Sequence, residues 1–305
     1  MHEAAISVSG LRMSYGDLEA VRGIDSEVAA GEVFGFLGPN GAGKTTTIEI
    51  LEGYRQRSEG EVAVLGVDPA QPTRAWRNRV GLVLQECELD PLLTVREAVA
   101  LFACFYAAPR EVEETIELVG LGDKRDARVG TLSGGQKRRA DVAIGIVGDP
   151  DLIFLDEPTT GFDPTARREA WNMIEGLKAL GKTVFLTTHY MDEAQHLADR
   201  VAILRDGRIV AQGRTEELGA DLGRRTTIGF TLPDGLGLEE LAGHLSAPPR
   251  RNGNGVVVET AEPQADLYRL LGLASERGLE LADLEVRRPS LEDIFLELTR
   301  GEGAA

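Results

Sequence analysis

The sequence predicts an α/β fold: a mostly parallel, doubly wound sheet with an antiparallel edge, followed by a small α+β domain. Three observations predict it. Short apolar strands alternate with helical segments through the first two thirds of the chain. The strand Glu32–Leu37 runs directly into the glycine-rich stretch Gly38–Thr46, and a helix follows. The strand Leu152–Leu155 lacks alternating polar positions, as expected of a strand buried on both faces.

Each element follows from local pattern. Ile6–Val8 alternates apolar and polar residues, Tyr15-Gly16 breaks the run, and Val21–Val28 resumes it. After the glycine-rich stretch, Thr46–Leu51 carries no breaker and reads as a helix. Strands are expected at Glu61–Leu65 and Val80–Leu84. From Thr94 to about Val119 the apolar period becomes helical, on both sides of Pro109. Lys137–Val147 and Ala166–Leu180 read as helices, the second ended by Gly181. Thr183–Thr187 reads as a strand and Met191–Ala198 as a short helix. Val201–Leu204 and Arg208–Val210 flank Asp206-Gly207, a strong hairpin signal.

The pattern changes near residue 219, where Gly219, Gly223 and a polar run suggest a boundary. Beyond it, strands are expected at Thr227–Leu232, Val256–Glu259 and Leu281–Val286. Helices are expected at Leu238–Leu245, Pro263–Arg277 and Ser290–Thr299.

The composition narrows the function classes. The 305 residues are 42% apolar and 27% charged, ordinary for a packed protein. A net charge of −17 disfavours nucleic acid as a partner. The longest apolar stretch, Val99–Ala108, is far short of the ~20 residues a spanning helix needs. No signal peptide is expected from Met1-His2-Glu3. The two cysteines, Cys87 and Cys104, have no metal or disulfide spacing and are expected as small buried apolar groups in a reducing compartment.

Gly38-Pro39-Asn40-Gly41-Ala42-Gly43-Lys44-Thr45 fits the spacing of a phosphate-binding loop, with Thr46 continuing into the helix. Glycines let the backbone curl so that amides point at phosphate oxygens, and the helix N-terminus adds partial positive charge. Lys44 is expected to neutralise β- and γ-phosphates and Thr45 to offer a hydroxyl to Mg²⁺. The apolar strand before the loop and the helix after it are the context that nucleotide binding requires.

Leu152–Leu155 ends in Asp156-Glu157, which places two acids at the ligand crevice of an open α/β sheet. Asp156 is expected to reach Mg²⁺, and Glu157 to orient or deprotonate an attacking water. Gln85 and His189 each follow a strand, and His189 is positioned for the γ-phosphate or that water. A metal pair of His189 with His196 has no supporting carboxylate or cysteine spacing.

Leu132-Ser133-Gly134-Gly135-Gln136 completes an ordered set with Gly38–Thr46, Gln85, Asp156-Glu157, Asp163 and His189. The set, over about residues 6–218, resembles the nucleotide-binding subunit of an ATP-binding cassette (ABC) transporter. The resemblance implies a P-loop ATPase core at 1–218, with a helical subdomain at about 86–145, and an accessory α+β domain at 219–305. It implies ATP and Mg²⁺ as ligands, with Thr45, Gln85 and Asp156 on the metal. Tyr15 sits where the family places an aromatic that stacks on adenine. Ser133, Gly134, Gly135 and Gln136 would complete the ATP site of a second cassette, with a homodimer as the simplest pair. Asp163 lies in the loop following the acidic strand end, with Phe162 where leucine is usual.

The same resemblance implies a separate polytopic membrane subunit and a peripheral position on the cytoplasmic face of the membrane, in a bacterium. A groove near Gln85 and Glu86, with Leu89, Leu92 and Leu93, would receive the membrane partner. The ending Pro289–Thr299 and the run Gly181–Ala194 resemble exporter ATPases of the daunorubicin-resistance type, which move drugs, lipids or polysaccharides. An importer subunit and a soluble ABC ATPase are the alternatives. The single cassette and the absence of long coiled-coil insertions argue against the translation and repair types, and a small-molecule kinase would leave Leu132–Gln136 unexplained.

Overall fold

The computed structural model describes residues 4–84, 89–215, 217–218, 225–233, 235–253, 255–288 and 290–300. The chain divides into two compact units, Met1–Thr215 and Glu216–Ala305. Gly219 and Gly223, which suggested the boundary, lie outside the described residues.

The centre of the first unit is a six-stranded sheet in the order β5-β6-β7-β3-β8-β9. Its strands are β3 (Val33–Leu37), β5 (Val80–Val83), β6 (Leu152–Asp156), β7 (Thr183–Thr188), β8 (Arg200–Arg205) and β9 (Arg208–Arg214). The first five in that order are parallel, and β9 pairs antiparallel with β8 at one edge. Every residue of β3 and β7 is buried, which is why neither alternates in sequence. Phe34, Phe36 and Phe154 surround Phe185 at ring separations of 5.5–5.7 Å. Because β6, β7 and β3 are adjacent, their carboxyl ends bring three distant stretches of sequence to one crevice. The β8–β9 turn has Asp206 at φ 49° and Gly207 at φ 75°, the pair of positive values that a tight hairpin demands.

A second, antiparallel sheet has the order β2-β1-β4, from β1 (Ala4–Tyr15), β2 (Leu18–Ala29) and β4 (Glu59–Val64). Its inward residues Ile6, Val8, Leu11 and Ile24 share one core with Phe34, Phe36 and Trp76. Trp76 belongs to α2 (Arg74–Arg77), a single turn without a helical period, and its indole N–H donates to the Val64 carbonyl at 2.8 Å.

The helical stretch from Thr94 is two helices, α3 (Val95–Ala103) and α4 (Val112–Leu118), separated around Pro109. Thr94 and Glu97 form a reciprocal cap at the start of α3. Cys104, expected to be buried, is exposed, because the helical period sets it on the outward face of α3 with Glu97 and Leu101. Cys87 lies outside the described residues. The remaining helices of this unit are α1 (Lys44–Leu51), α5 (Gly134–Ile146), α6 (Pro164–Ala179) and α7 (Met191–Leu197).

The second unit has a four-stranded antiparallel sheet ordered β11-β12-β10-β13. Its strands are β10 (Thr226–Thr231), β11 (Arg250–Asn252), β12 (Gly255–Thr260) and β13 (Glu285–Arg287). Its helices are α8 (Leu238–His244), α9 (Pro263–Glu276) and α10 (Leu291–Arg300). Ile228, Phe230, Leu241, Val258 and Leu270 form its core. The strand expected at Leu281–Val286 is reduced to β13, because Asp283 turns the chain at φ 56°.

Candidate functional site

The loop between β3 and α1 is shaped by glycine where nothing larger fits. A Cβ at Gly38 would come within 2.5 Å of the Leu204 carbonyl oxygen. Gly43 has φ +103°, and a Cβ there would lie 2.6 Å from the Ala20 carbonyl oxygen. Helix α1 starts at Lys44 without a side-chain cap, so among the described residues its first amides have no intrahelical or side-chain partner. The hydroxyl of Thr45, at an exposed position, has no partner among the described residues. Pro39 and Ala42 close the loop, Ala42 N donating to the Pro39 carbonyl at 3.2 Å. Asn40 and Gly41 are exposed at its tip.

Lys44 folds back under the loop. Its Nζ donates to the Gly38 carbonyl at 2.8 Å and to the Pro39 carbonyl at 3.2 Å. It also stands 3.9 Å from Glu157 Oε1. Burial lowers its pKa, against the opposing pull of the Glu157 and Asp156 carboxylates.

Asp156 ends β6, paired in register with Thr187 of β7. Glu157 follows in the left-handed region at φ 45°, an uncommon conformation for a glutamate. The strained turn is held by its amide, which donates to the Thr187 carbonyl and hydroxyl, both at 3.1 Å. The Thr187 hydroxyl in turn donates to Asp156 Oδ1. Thr160 Oγ1 donates to Glu157 Oε2 at 3.1 Å, leaving Oε1 directed at Lys44 and His189. His189 Nδ1 lies 3.4 Å from that oxygen without completing a hydrogen bond. The imidazole packs on Tyr190 at 4.1 Å between ring centroids.

Tyr15, at the β1–β2 turn, places its hydroxyl 3.4 Å from Thr46 Oγ1, and the Arg55 guanidinium lies 5.1 Å from its ring centroid. Gln85 lies outside the described residues. Arg138 of α5 donates to the carbonyls of Leu84 and Asp156, so one buried guanidinium joins the ends of β5 and β6.

Ser133, Gly134, Gly135 and Gln136 form the start of α5. Ser133 caps the helix, and Gln136 returns a hydrogen bond to the Ser133 amide at 3.0 Å. A methyl group at Gly134 would meet no heavy atom within 4 Å. Among the described residues no hydrogen bond or ion pair joins this turn to Gly38–Thr46. Asp163 caps α6, Oδ1 accepting from the Thr165 and Ala166 amides at 2.9 and 3.0 Å. The structure therefore brings Lys44, Asp156, Glu157 and His189 together, and among the described residues no hydrogen bond or ion pair joins Ser133–Gln136 to them.

A cavity of about 480 Å³ opens beyond the C-terminus of α1, lined by Glu52, Tyr54, Trp76, Leu82, Phe102 and Tyr106. Leu89, Leu92 and Leu93 are not among its described lining residues. Burial, together with the Asp156 and Glu49 carboxylates, pushes the Glu52 pKa up to about 8.

Sequence reasoning missed Thr187, Thr160 and Arg138. The available signal was polarity out of place: hydroxyls in the otherwise apolar run Thr183–Thr188, and an arginine in a helix whose remaining turns are buried.

A family model described as ABC transporter matches residues 21–160. The Nod factor export ATP-binding protein I of Rhizobium sp. (strain N33) is 40% identical over 312 residues, spanning 99% of both chains. The chain belongs to the ABC transporter family. Within it, the daunorubicin resistance ATP-binding protein DrrA3 of Streptomyces coeruleorubidus is 38% identical and covers 98% of this chain and 97% of its own. A second family model, described as the ABC transporter domain-containing protein-like C-terminal domain, matches residues 226–290. Among solved structures, a nucleotide-free ATP-binding cassette from an ABC transporter superposes with a TM-score of 0.63 at 26% identity, over 72% of this chain and 94% of its own. The ADP form of the cassette MJ1267 shares the fold, with a TM-score of 0.64 at 24% identity over 72% of this chain and 94% of its own. This ABC protein is accordingly an ATP-binding subunit of the exporter type, with a P-loop ATPase fold. No helix among its described residues is long and apolar enough to cross a membrane.

Proposed function

We propose that this ABC subunit hydrolyses ATP at the crevice formed by Lys44, Asp156, Glu157 and His189, and that the turnover drives export through a separate membrane subunit. The observation that carries the reading is convergence. Lys44 Nζ at 3.9 Å and His189 Nδ1 at 3.4 Å face the same Glu157 Oε1, the three residues following the carboxyl ends of the adjacent strands β3, β7 and β6.

Each residue then has a physical task. The uncapped start of α1 receives phosphate oxygens on its free amides. Lys44 exchanges the Gly38 and Pro39 carbonyls for β- and γ-phosphate oxygens. Glu157 Oε1 takes a proton from the water that attacks the γ-phosphorus in line, as ADP departs and phosphate forms. His189 orients that water or the γ-phosphate, and Thr187 holds the Glu157 backbone against its strained conformation. Tyr15 marks the adenine end.

The donor set fits Mg²⁺: Thr45 offers an uncommitted hydroxyl, Asp156 a carboxylate, and one lysine faces the Asp156–Glu157 pair, leaving room for further positive charge. These two residues, with Gln85, would hold the ion, which supplies charge neutralisation on the phosphates.

The second half of each site comes from a second cassette, a second copy of this chain. Supporting this is the open face of Gly134 at the start of α5, a helix N-terminus with no phosphate loop of its own chain against it. Asp163 shapes the adjoining loop. The membrane partner docks at the cavity beyond α1, where Tyr54, 81% exposed, leaves aromatic surface uncovered. The exported compound is a drug, lipid or polysaccharide, and the subunit sits on the cytoplasmic face of the membrane. Extraction of tagged chain from native membranes in mild detergent tests the reading. A polytopic membrane protein in near-equal amount is expected. Recovery only from the soluble fraction would place the ATP chemistry outside transport.

A further inference from the structure

Glu193 of α7 is fully buried, at 0% exposure. A buried carboxylate must be satisfied by neighbours, and the identity of those neighbours is informative. Oε1 accepts from Thr159 Oγ1 at 2.8 Å and from the Trp171 indole at 3.2 Å. The Thr188 side chain also helps to stabilise the charged form of the carboxylate, pulling its pKa down. Thr159 stands two residues after Glu157 in the loop leaving β6, and Thr188 immediately precedes His189 at the end of β7. The Thr188 hydroxyl also accepts from the Tyr190 amide at 3.0 Å, so it brackets His189 on both sides. Thr159 and Thr188 are themselves buried.

Burial pushes the Glu193 carboxyl upward, while the Thr188, Thr159 and Trp171 donors and the Arg167 cation pull it down. Among the described residues its second oxygen, Oε2, has no hydrogen-bond partner. An apolar side chain of similar size would fill this space without leaving that oxygen bare. What the carboxylate adds is a link between two loops. Glu157 and His189 are on different strands, and their 3.4 Å approach depends on the relative setting of the two loops.

We propose that Glu193 is a positioning residue for hydrolysis: by holding Thr159 it ties the loop after β6 to α7, the helix that follows His189, and so sets Glu157 and His189 at their working separation. The inference rests on the assignment of Glu157 and His189 above. Trp171 provides an internal contrast, because it binds the same carboxylate from α6 and does not adjoin either residue.

The test is steady-state ATP hydrolysis by the chain with Glu193→Ala, Glu193→Gln, Thr159→Val and Trp171→Phe, alongside melting temperatures. In Glu193→Ala, kcat should fall at least roughly tenfold, since small displacements of reacting groups are expensive, while KM for ATP stays within about twofold. Glu193→Gln keeps an acceptor oxygen and should recover most of kcat. Thr159→Val removes the observed hydrogen bond and should lower kcat, whereas Trp171→Phe should lower only the melting temperature. Wild-type kcat in Glu193→Ala would overturn the inference, as would a Trp171→Phe loss of kcat equal to that of Thr159→Val. If Glu193→Ala fails to fold, Thr159→Val decides, and wild-type kcat there overturns it. A wild-type chain without ATP turnover would instead sink the underlying assignment, a separate result.

Discussion

Lys44 Nζ stands 3.9 Å from Glu157 Oε1, with the two side chains 7% and 13% exposed. Neither group forms a closer contact with the other, because Lys44 is already committed to the Gly38 and Pro39 carbonyls. The cation is therefore held beside the acid without being consumed by it. In Lys44→Ala the Asp156 and Glu157 carboxylates lose their shared cation. ATP affinity should fall by roughly ten- to a hundredfold, the value of a charge-assisted hydrogen bond or two. Titration with a fluorescent ATP analogue reads this directly, and unchanged affinity would remove Lys44 from the phosphate site.

Thr187 is the residue on which both acids depend. Thr187→Val keeps the shape of β7 but removes the hydroxyl that accepts from the Glu157 amide and donates to Asp156. The variant should lose about 1–2 kcal/mol of stability to urea. Its kcat should fall about tenfold with nucleotide affinity retained, because the loss is of alignment rather than of binding. Wild-type kcat would show that the Thr187 carbonyl alone holds the strained glutamate.

Glu52 gives the fold a pH dependence. Its folded pKa of about 8 lies above the ordinary value of 4.5. Between those values the folded state binds more protons than the unfolded state, so stability declines as pH rises. The contribution is fully present below pH 4.5 and is lost by pH 8 and above. Glu52→Gln should flatten this slope and be more stable than wild type by on the order of 1 kcal/mol or more at pH 8.5, with a smaller difference at pH 5. Urea denaturation of the nucleotide-free protein at the two pH values checks the sign, and a parallel decline in the variant would contradict it.

Much of this site was legible because its parts are local. The loop Gly38–Thr45 is a contiguous run, and Gly38 and Gly43 in it answer to close backbone contacts at Leu204 and Ala20. Asp156-Glu157 could be placed at the crevice because an uninterrupted apolar strand must end there. The supporting residues were not legible, because their partners are distant in sequence. Thr187 meets Glu157 across 30 positions and Glu193 meets Thr159 across 34. In the fold, the four-residue α2 was too short for a helical period to show, and the strand at Leu281–Val286 was overcalled because nothing local marks Asp283 as a turn. Cys104 is exposed because the helical period sets it on the outward face of α3 with Glu97 and Leu101, whose apolar leucine hides that facing in the sequence.

Gly134 separates folding from assembly. Its missing side chain faces open space, so Gly134→Asp has room within the chain. The melting temperature should change by no more than about 2 °C. The added carboxylate, at the point where a second copy would present phosphates, should abolish ATP-dependent dimerisation by light scattering. A dimer of undiminished stability would place the two copies in another arrangement.

In the proposed mechanism Glu157 performs the hydrolytic step in a site shared by two chains. The measurement that tests it most directly is phosphate release by wild type and Glu157→Gln at saturating MgATP, with molar mass followed by light scattering on the same samples. Glu157→Gln keeps the size and one acceptor of the glutamate but cannot take a proton from water. Its turnover should fall at least roughly a hundredfold, the typical contribution of a general base. It should also hold ATP in a stable dimer. Wild-type turnover, or a monomer at every ATP concentration, would contradict the account.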